Sequence, residues 1–294
     1  MIRVCSFYFI LCIQAVYSQD TAKYNLYRGK IKDYTFLISM DSSNAEKYSI
    51  RAGYKILLLE FNGAINDCNK ALRIQPYYSE AYFNRALAKY NLKQYNEAIE
   101  DYLKVLKLKT DYLDAYVNLA AAYIKIENYD KATKYYSYAI VLDSNNLNSH
   151  NGLGLIKYKM SDYKGAIEEY TKIIKNDSLY YNVYGNLGNV KRMLKDYYGA
   201  IDDYLKALKI DSTDSRIYYN IGLTYQDLDK YDNAIFYYSK AIDKNPEGEI
   251  DAYISRGDIK YHEIGDKKNA CMDWNKAFKL GSIKTKLSLD KYCQ

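Results

Sequence analysis

Alanine stands at Ala64, Ala98, Ala132, Ala166, Ala200 and Ala234, 34 residues apart each time, and returns at Ala270. Self-similarity at one fixed spacing replaces the two globular domains expected of 294 residues with a single stack of repeats. Counting from Ala45, Ser79, Leu113, Leu147, Tyr181 and Ser215, with a seventh repeat opening near Ile250 after one inserted residue, brings further columns into line. Position 4 is Tyr48, Tyr82, Tyr116, His150, Tyr184, Tyr218 and Tyr253. Position 8 is Ala52, Ala86, Ala120, Gly154, Gly188, Gly222 and Gly257. Position 24 is Cys68, then Tyr102, Tyr136, Tyr170, Tyr204, Tyr238 and Trp274, and position 27 is mostly small, as in Ala71, Ala139, Ala207, Ala241 and Ala277. Offsets of 20, 24 and 27 keep to one helical face. Each repeat therefore predicts two amphipathic helices split near position 15, brought close where side chains are small and filled by aromatics elsewhere. The 38 tyrosines serve as packing residues.

Asp, Asn, Gln or Glu stands at position 16 before an aromatic at position 17 in most repeats, a start signal for the second helix. Pro76, Ser144, Ser178, Ser212 and Pro246 close repeats with turn-forming residues. Over residues 45–281 this pattern resembles the tetratricopeptide repeat. The resemblance implies an all-α, right-handed α-solenoid of stacked helix–turn–helix units with a C-terminal capping helix. It also implies a concave groove lined by positions 2, 5, 6, 9, 12 and 13 of the first helices. Departures are His150 and Cys68 at aromatic positions, both read as packing residues.

The flanks read as caps. Residues 19–44 space Tyr27, Tyr34, Leu37 and Met40 like positions 17, 24, 27 and 30, a half-repeat covering repeat 1. Residues 282–294 read as one more helix with Ile283, Leu287 and Tyr292 turned inward. Residues 1–18 read as a secretory signal, Arg3 before an apolar run from Val4 to Tyr17, cut after about Ser18. That run falls short of the roughly 20 residues a membrane span needs. The chain is thus expected to be exported, periplasmic or secreted, with no stable membrane span after cleavage. The alternative is a membrane tether through an uncleaved N-terminus.

Positions 11 and 23 vary together. Lys55, Lys89, Lys157, Lys191 and Lys260 go with Asp67, Asp101, Glu169, Asp203 and Asp273, whereas Tyr123 goes with Tyr135 and Tyr225 with Tyr237. Contact between the two columns is expected, which makes these lysines part of the framework. Cys271 and Cys293 flank Gly281 at 10 and 12 residues, so a hairpin turning there would set the sulfurs level. They are either a disulfide or two unrelated small apolar residues. Cys68 is expected to stay a thiol.

Nothing in the chain has the look of catalysis. His262 has no partner at ligand spacing, and the position 8 glycines lack the strand–loop–helix setting of a phosphate loop. We therefore expect no enzyme, no metal and no small-molecule cofactor. A net charge of +6, much of it paired, does not call for nucleic acid. The resemblance directs attention to the groove, where Asn84, Asn118, Asn186 and Asn220 repeat at position 6 and Asn189 stands at position 9. Their amides could engage a peptide backbone or only water. Phe83, Tyr90, Tyr158 and Tyr219 would add apolar area. Lys125, Lys159, Arg192 and Arg216 make the middle basic, a field suited to an acidic segment. The Lys and Asn set of a carboxylate clamp is missing, since no repeat has Lys at position 5. The expected function is a non-catalytic scaffold or adapter that binds a protein or peptide of unknown identity in this groove. The alternative is a structural subunit of an envelope or secretion assembly, packing end to end or laterally.

Overall fold

A computed structural model describes residues 21–177 and 181–293. The expected signal segment, residues 1–18, lies outside the described residues. The described residues form sixteen α-helices and no strand. Ahead of the repeats runs α1 (Thr21–Met40). Seven hairpins follow: α2 (Ala45–Leu57) with α3 (Phe61–Ile74), α4 (Ser79–Asn91) with α5 (Tyr95–Leu108), α6 (Leu113–Lys125) with α7 (Tyr129–Leu142), α8 (Leu147–Lys159) with α9 (Tyr163–Asn176), α10 (Tyr181–Met193) with α11 (Tyr197–Ile210), α12 (Ser215–Asp227) with α13 (Tyr231–Lys244), and α14 (Ile250–His262) with α15 (Lys267–Lys279). Last comes α16 (Lys284–Tyr292). From α1 to α7 and from α9 to α16, helices consecutive in sequence pack on one another, as helical repeats do. The chain divides after Gly152 into two compact bodies, and each is described by itself.

One turn serves six hairpins. Position 15, held by Leu59, Lys93, Glu127, Ser161, Lys195 and Asp229, takes φ of 56–63°, the left-handed region. The next amide then reaches back to the carbonyl of position 11, as from Glu60 to Lys55 (2.8 Å) and from Asp196 to Lys191 (2.9 Å). This is the 6→1 bond that satisfies an orphan carbonyl at a helix end. The following side chain caps the second helix where it is short enough. Asn128, Asp162 and Asp196 accept from the backbone amides of Lys131, Gly165 and Gly199, while the longer Glu60 and Gln94 make no such bond. The seventh turn holds one more residue than the others and uses Gly265 at φ 78°.

Packing within a hairpin depends on size complementarity. A Cβ placed on Gly154, Gly188 or Gly222 would lie 2.4–2.6 Å from the ring of Tyr170, Tyr204 or Tyr238, and one on Gly257 would lie 2.8 Å from Trp274. Those rings from the second helix are buried, so the glycines exist to let the aromatics through. Tyr136 leans the other way and occupies the space beside Gly152. Position 4 joins one repeat to the turn before it. The hydroxyls of Tyr116 and Tyr218 donate to the carbonyls of Thr110 (3.1 Å) and Ser212 (3.3 Å), and His150 puts Nε2 3.0 Å from the Ser144 carbonyl. Imidazole thus takes over the phenol's place. Burial above all pushes the Cys68 thiol up to about 12, which makes it a small inert core side chain.

Both ends depart from the sequence expectation. In α1 the inward face is Tyr27, Ile31, Tyr34 and Ile38, with Tyr27 and Tyr34 each 6.1 Å from Tyr54. Leu37 and Met40 point to solvent, because a 4-3-4 spacing fits the groove on α2 better than the spacing borrowed from the second helices. In α16, Ile283 and Leu287 are 82% and 75% exposed, against the inward orientation expected. The buried residue is Thr285, and Tyr292 alone of the three expected residues packs, 4.5 Å from Tyr261 and 6.0 Å from Trp274.

Candidate functional site

The columns at positions 11 and 23 meet in all five charged repeats: Lys55 with Asp67 at 2.7 Å, Lys89 with Asp101 at 2.6 Å, Lys157 with Glu169 at 2.8 Å, Lys191 with Asp203 at 2.6 Å and Lys260 with Asp273 at 2.8 Å. In the other two repeats Tyr123 stacks on Tyr135 (5.6 Å, 4°) and Tyr225 on Tyr237 (5.4 Å, 17°). Sequence reasoning missed a third column. Position 7 is Arg51, Arg85 and Arg256 in three repeats, and each guanidinium grips the same carboxylate with two bonds of 2.6–3.0 Å. The remaining nitrogen reaches the preceding helix, to Thr35, Asn69 and Ser239. The signal was present, since Arg at position 7 occurs only where Lys and Asp fill the other two columns. These cations are framework, not ligand-binding charge.

Groove positions fare unevenly. Phe83 is a correction: only 6% exposed, it sits 5.8 Å from Tyr102 and 5.2 Å from Tyr112, in the core. Tyr90, Tyr158 and Tyr219 are half-buried, packed against Tyr95, Tyr163 and Tyr238 at 5.4–5.9 Å. The asparagines are partly spent on the fold. Asn84 donates to the backbone and hydroxyl of Ser49 (3.0 and 3.2 Å), tying α4 to α2, and Asn118 donates to Asp114 one turn back. The basic middle is also partly neutralised. Arg192 donates to Asp227 at 2.6 Å, and Arg216 forms two bonds of 2.8–3.0 Å with Asp214, whose carboxylate raises the guanidinium pKa further. Lys125 and the Arg216 side chain remain exposed.

Within the second body, α10 and α12 frame an open depression of about 190 Å³ lined by Gly185, Asn186, Asn189, Asp214, Arg216, Ile217 and Asn220. Gly185 makes it possible, since a Cβ there would come 2.8 Å from Ile217. Asn189 is orientated from below. Its Oδ1 accepts from the Tyr204 hydroxyl (2.7 Å) and from Asn220 Nδ2 (3.2 Å). Burial raises the Tyr204 phenol, so it stays protonated and keeps donating. That fixes the amide: the Nδ2 of Asn189 and the Oδ1 of Asn220 are the atoms turned away from this shared bond, one donor beside one acceptor. Such a pair matches a peptide unit, which offers one acceptor and one donor.

Residues 79–112 and 215–247 match the sequence profile of the tetratricopeptide repeat, residues 113–146 match a second profile of that name, and residues 188–229 match a TPR repeat profile. Residues 79–146 and 188–247 are thus matched by tetratricopeptide repeat profiles. A tetratricopeptide repeat protein from Parabacteroides merdae is similar in structure with a TM-score of 0.69 at 18% identity, over 85% of this chain and 99% of its own. Pseudomonas aeruginosa pilF is similar with a TM-score of 0.61 at 19% identity, over 72% and 97%. The APC/C hetero-tetramer Cut9-Hcn1 gives 0.66 at 20% identity over 77% of this chain, which spans only 45% of the matched chain. At such identities the likeness is one of fold. No curated protein sequence matches the chain. Stacked helical repeats of this kind present extended binding surfaces. Among the described residues, no group of three His, Cys, Asp or Glu side chains is placed to hold a metal, and no helix is long and apolar enough to cross a membrane.

Proposed function

We propose that this protein is a non-catalytic scaffold or adapter that holds an extended protein or peptide segment along the first helices of its repeats, with no nucleic acid and no cofactor involved. The depression between α10 and α12 carries the reading. Asn189 and Asn220 offer a fixed donor and acceptor, Ile217 offers apolar surface, and Arg216 stands exposed at the rim. An amide pair suits a main chain more than a particular side chain, so affinity would build over several repeats rather than at one anchor. The apolar run of residues 4–17 supports export to the cell envelope or secreted space. Affinity capture with wild type and with the Asn189→Ala, Arg216→Ala, Asn220→Ala variant tests the site. Loss of the captured partner supports it, and undiminished capture by a folded variant rejects it.

A second reading, a structural subunit packing end to end, is favoured by the apolar side chains left exposed at both ends, Phe36, Leu37 and Met40 on α1 and Ile283 and Leu287 on or beside α16. Mass photometry separates the two. A monomer supports the adapter, and defined oligomers support the structural part.

A further inference from the structure

The last helix is held on by little besides one covalent bond. At nine residues α16 is shorter than the roughly 12–15 that a helix needs to persist alone in water. Leu287 and the preceding Ile283 face solvent, Leu289 and Tyr292 are half-buried, and Thr285 is its one buried residue, so burial contributes little adhesion. The near end is set by the turn at Gly281 (φ 105°), where Ser282 N–H donates to the Ala277 carbonyl. The far end is set by two neighbouring residues. Cys293 is joined to Cys271 of α15 across 22 positions, with the Cα atoms 5.7 Å apart, and Tyr292 lies over Tyr261 and Trp274. Both bonded cysteines are half-buried, within reach of a small thiol, whereas Cys68 is fully buried and out of reach.

We propose that the Cys271–Cys293 disulfide is a redox-released latch: reduction frees α16 from the last hairpin and uncovers the Tyr261 and Trp274 face of α14 and α15 while the seven hairpins stay folded. The reductant is a dithiol. One of its thiolates attacks a sulfur of the pair to give a mixed disulfide, its second thiolate displaces the protein sulfur, and two electrons and two protons end on Cys271 and Cys293. The hairpins survive because their stability comes from buried aromatics and ion pairs inside each repeat and from contacts with the neighbouring repeat. The helix α16 has no such reserve. Opening the closed loop removes a constraint worth on the order of 100-fold in the docking equilibrium.

Trp274 is the single tryptophan of the chain and reports on this face directly. The purified full chain is compared with and without dithiothreitol by thiol titration, by hydrogen exchange of residues 284–292 and by acrylamide quenching of Trp274. The latch requires two more thiols after reduction than before, from Cys271 and Cys293, with exchange in α16 faster by about 100-fold, stronger quenching, and unchanged exchange in α14 and α15. The Cys293→Ser chain should match the reduced protein without any reductant. No gain of thiols on reduction overturns the proposal. So does α16 protection that persists after reduction or in Cys293→Ser. Joint loss of α14, α15 and α16 overturns it too, since the bond would then be a staple of the whole repeat.

Discussion

Removing the carboxylate of Asp101 should be among the most costly single truncations in the charged columns, on a par with Asp67. Asp101 is 1% exposed and receives Arg85 at 2.7 and 2.8 Å and Lys89 at 2.6 Å. Asp101→Ala leaves two largely buried cations facing one another, and removing one partner of a buried pair costs about 3–5 kcal/mol. Asp203 is the internal control, because Leu187 stands at its position 7 and its partners are Lys191 and the exposed Lys206. Asp203→Ala should cost less, about 1–3 kcal/mol. The buried network is also replaceable. Transplanting Leu119, Tyr123 and Tyr135 of repeat 3 into repeat 2, as Arg85→Leu, Lys89→Tyr and Asp101→Tyr together, should return to within about 1 kcal/mol of wild type, since well-packed apolar groups commonly match a buried ion pair. Repeat arrays need not unfold in one step, so the readout is native-state hydrogen exchange of α4 and α5 for Asp101 and of α10 and α11 for Asp203. Equal costs for Asp101→Ala and Asp203→Ala, or a cost under about 1 kcal/mol for the first, would refute the reasoning.

Two further outcomes can be checked with less effort. Burial raises the pKa of Asp258, which accepts from Trp274 Nε1 at 2.9 Å, so the folded state binds this proton more readily than the unfolded chain and the charged form is a penalty at neutral pH. Asp258→Asn should therefore raise Tm at pH 7, with the gain fading as pH falls through the raised value and Asp258 becomes neutral in wild type; a gain constant with pH contradicts this. Lys93 and Ser161 hold φ of 63° without being glycine. Lys93→Gly and Ser161→Gly should each change stability by about 0 to +1 kcal/mol in urea unfolding, as relieved left-handed strain of about 1–2 kcal/mol outweighs the entropy of glycine; a loss above about 1 kcal/mol would contradict it.

What the sequence conveyed follows from what a repeat amplifies. A single alanine every 34 residues says little, but seven in phase with small and aromatic columns specify paired helices, and the helices do open at Ala45, Ser79, Leu113, Leu147, Tyr181, Ser215 and Ile250. Repetition fails at the ends. The helices α1 and α16 lack a second copy to compare with, so apolar spacing alone pointed Met40 and Ile283 inward, where packing geometry and a covalent tie decide otherwise. It fails also for polar side chains that can face either way. Asn84 and Asn220 stand in one column, yet one amide is turned to Ser49 and the other to Asn189, and only the neighbouring helix decides which. Phe83 was misplaced for a related reason: position 5 borders the groove, and a ring large enough to reach Tyr102 and Tyr112 sinks beneath it.

The central claim, that a partner lies along the first helices, is tested most directly by a photo-crosslinking residue placed at one site at a time. Arg216 and Lys125 are exposed on first helices, and Val141 is 82% exposed on a second helix. Crosslinks to one partner from positions 216 and 125, with none from 141, are expected. Crosslinks from 141 alone would place the interface on the second helices and contradict the claim.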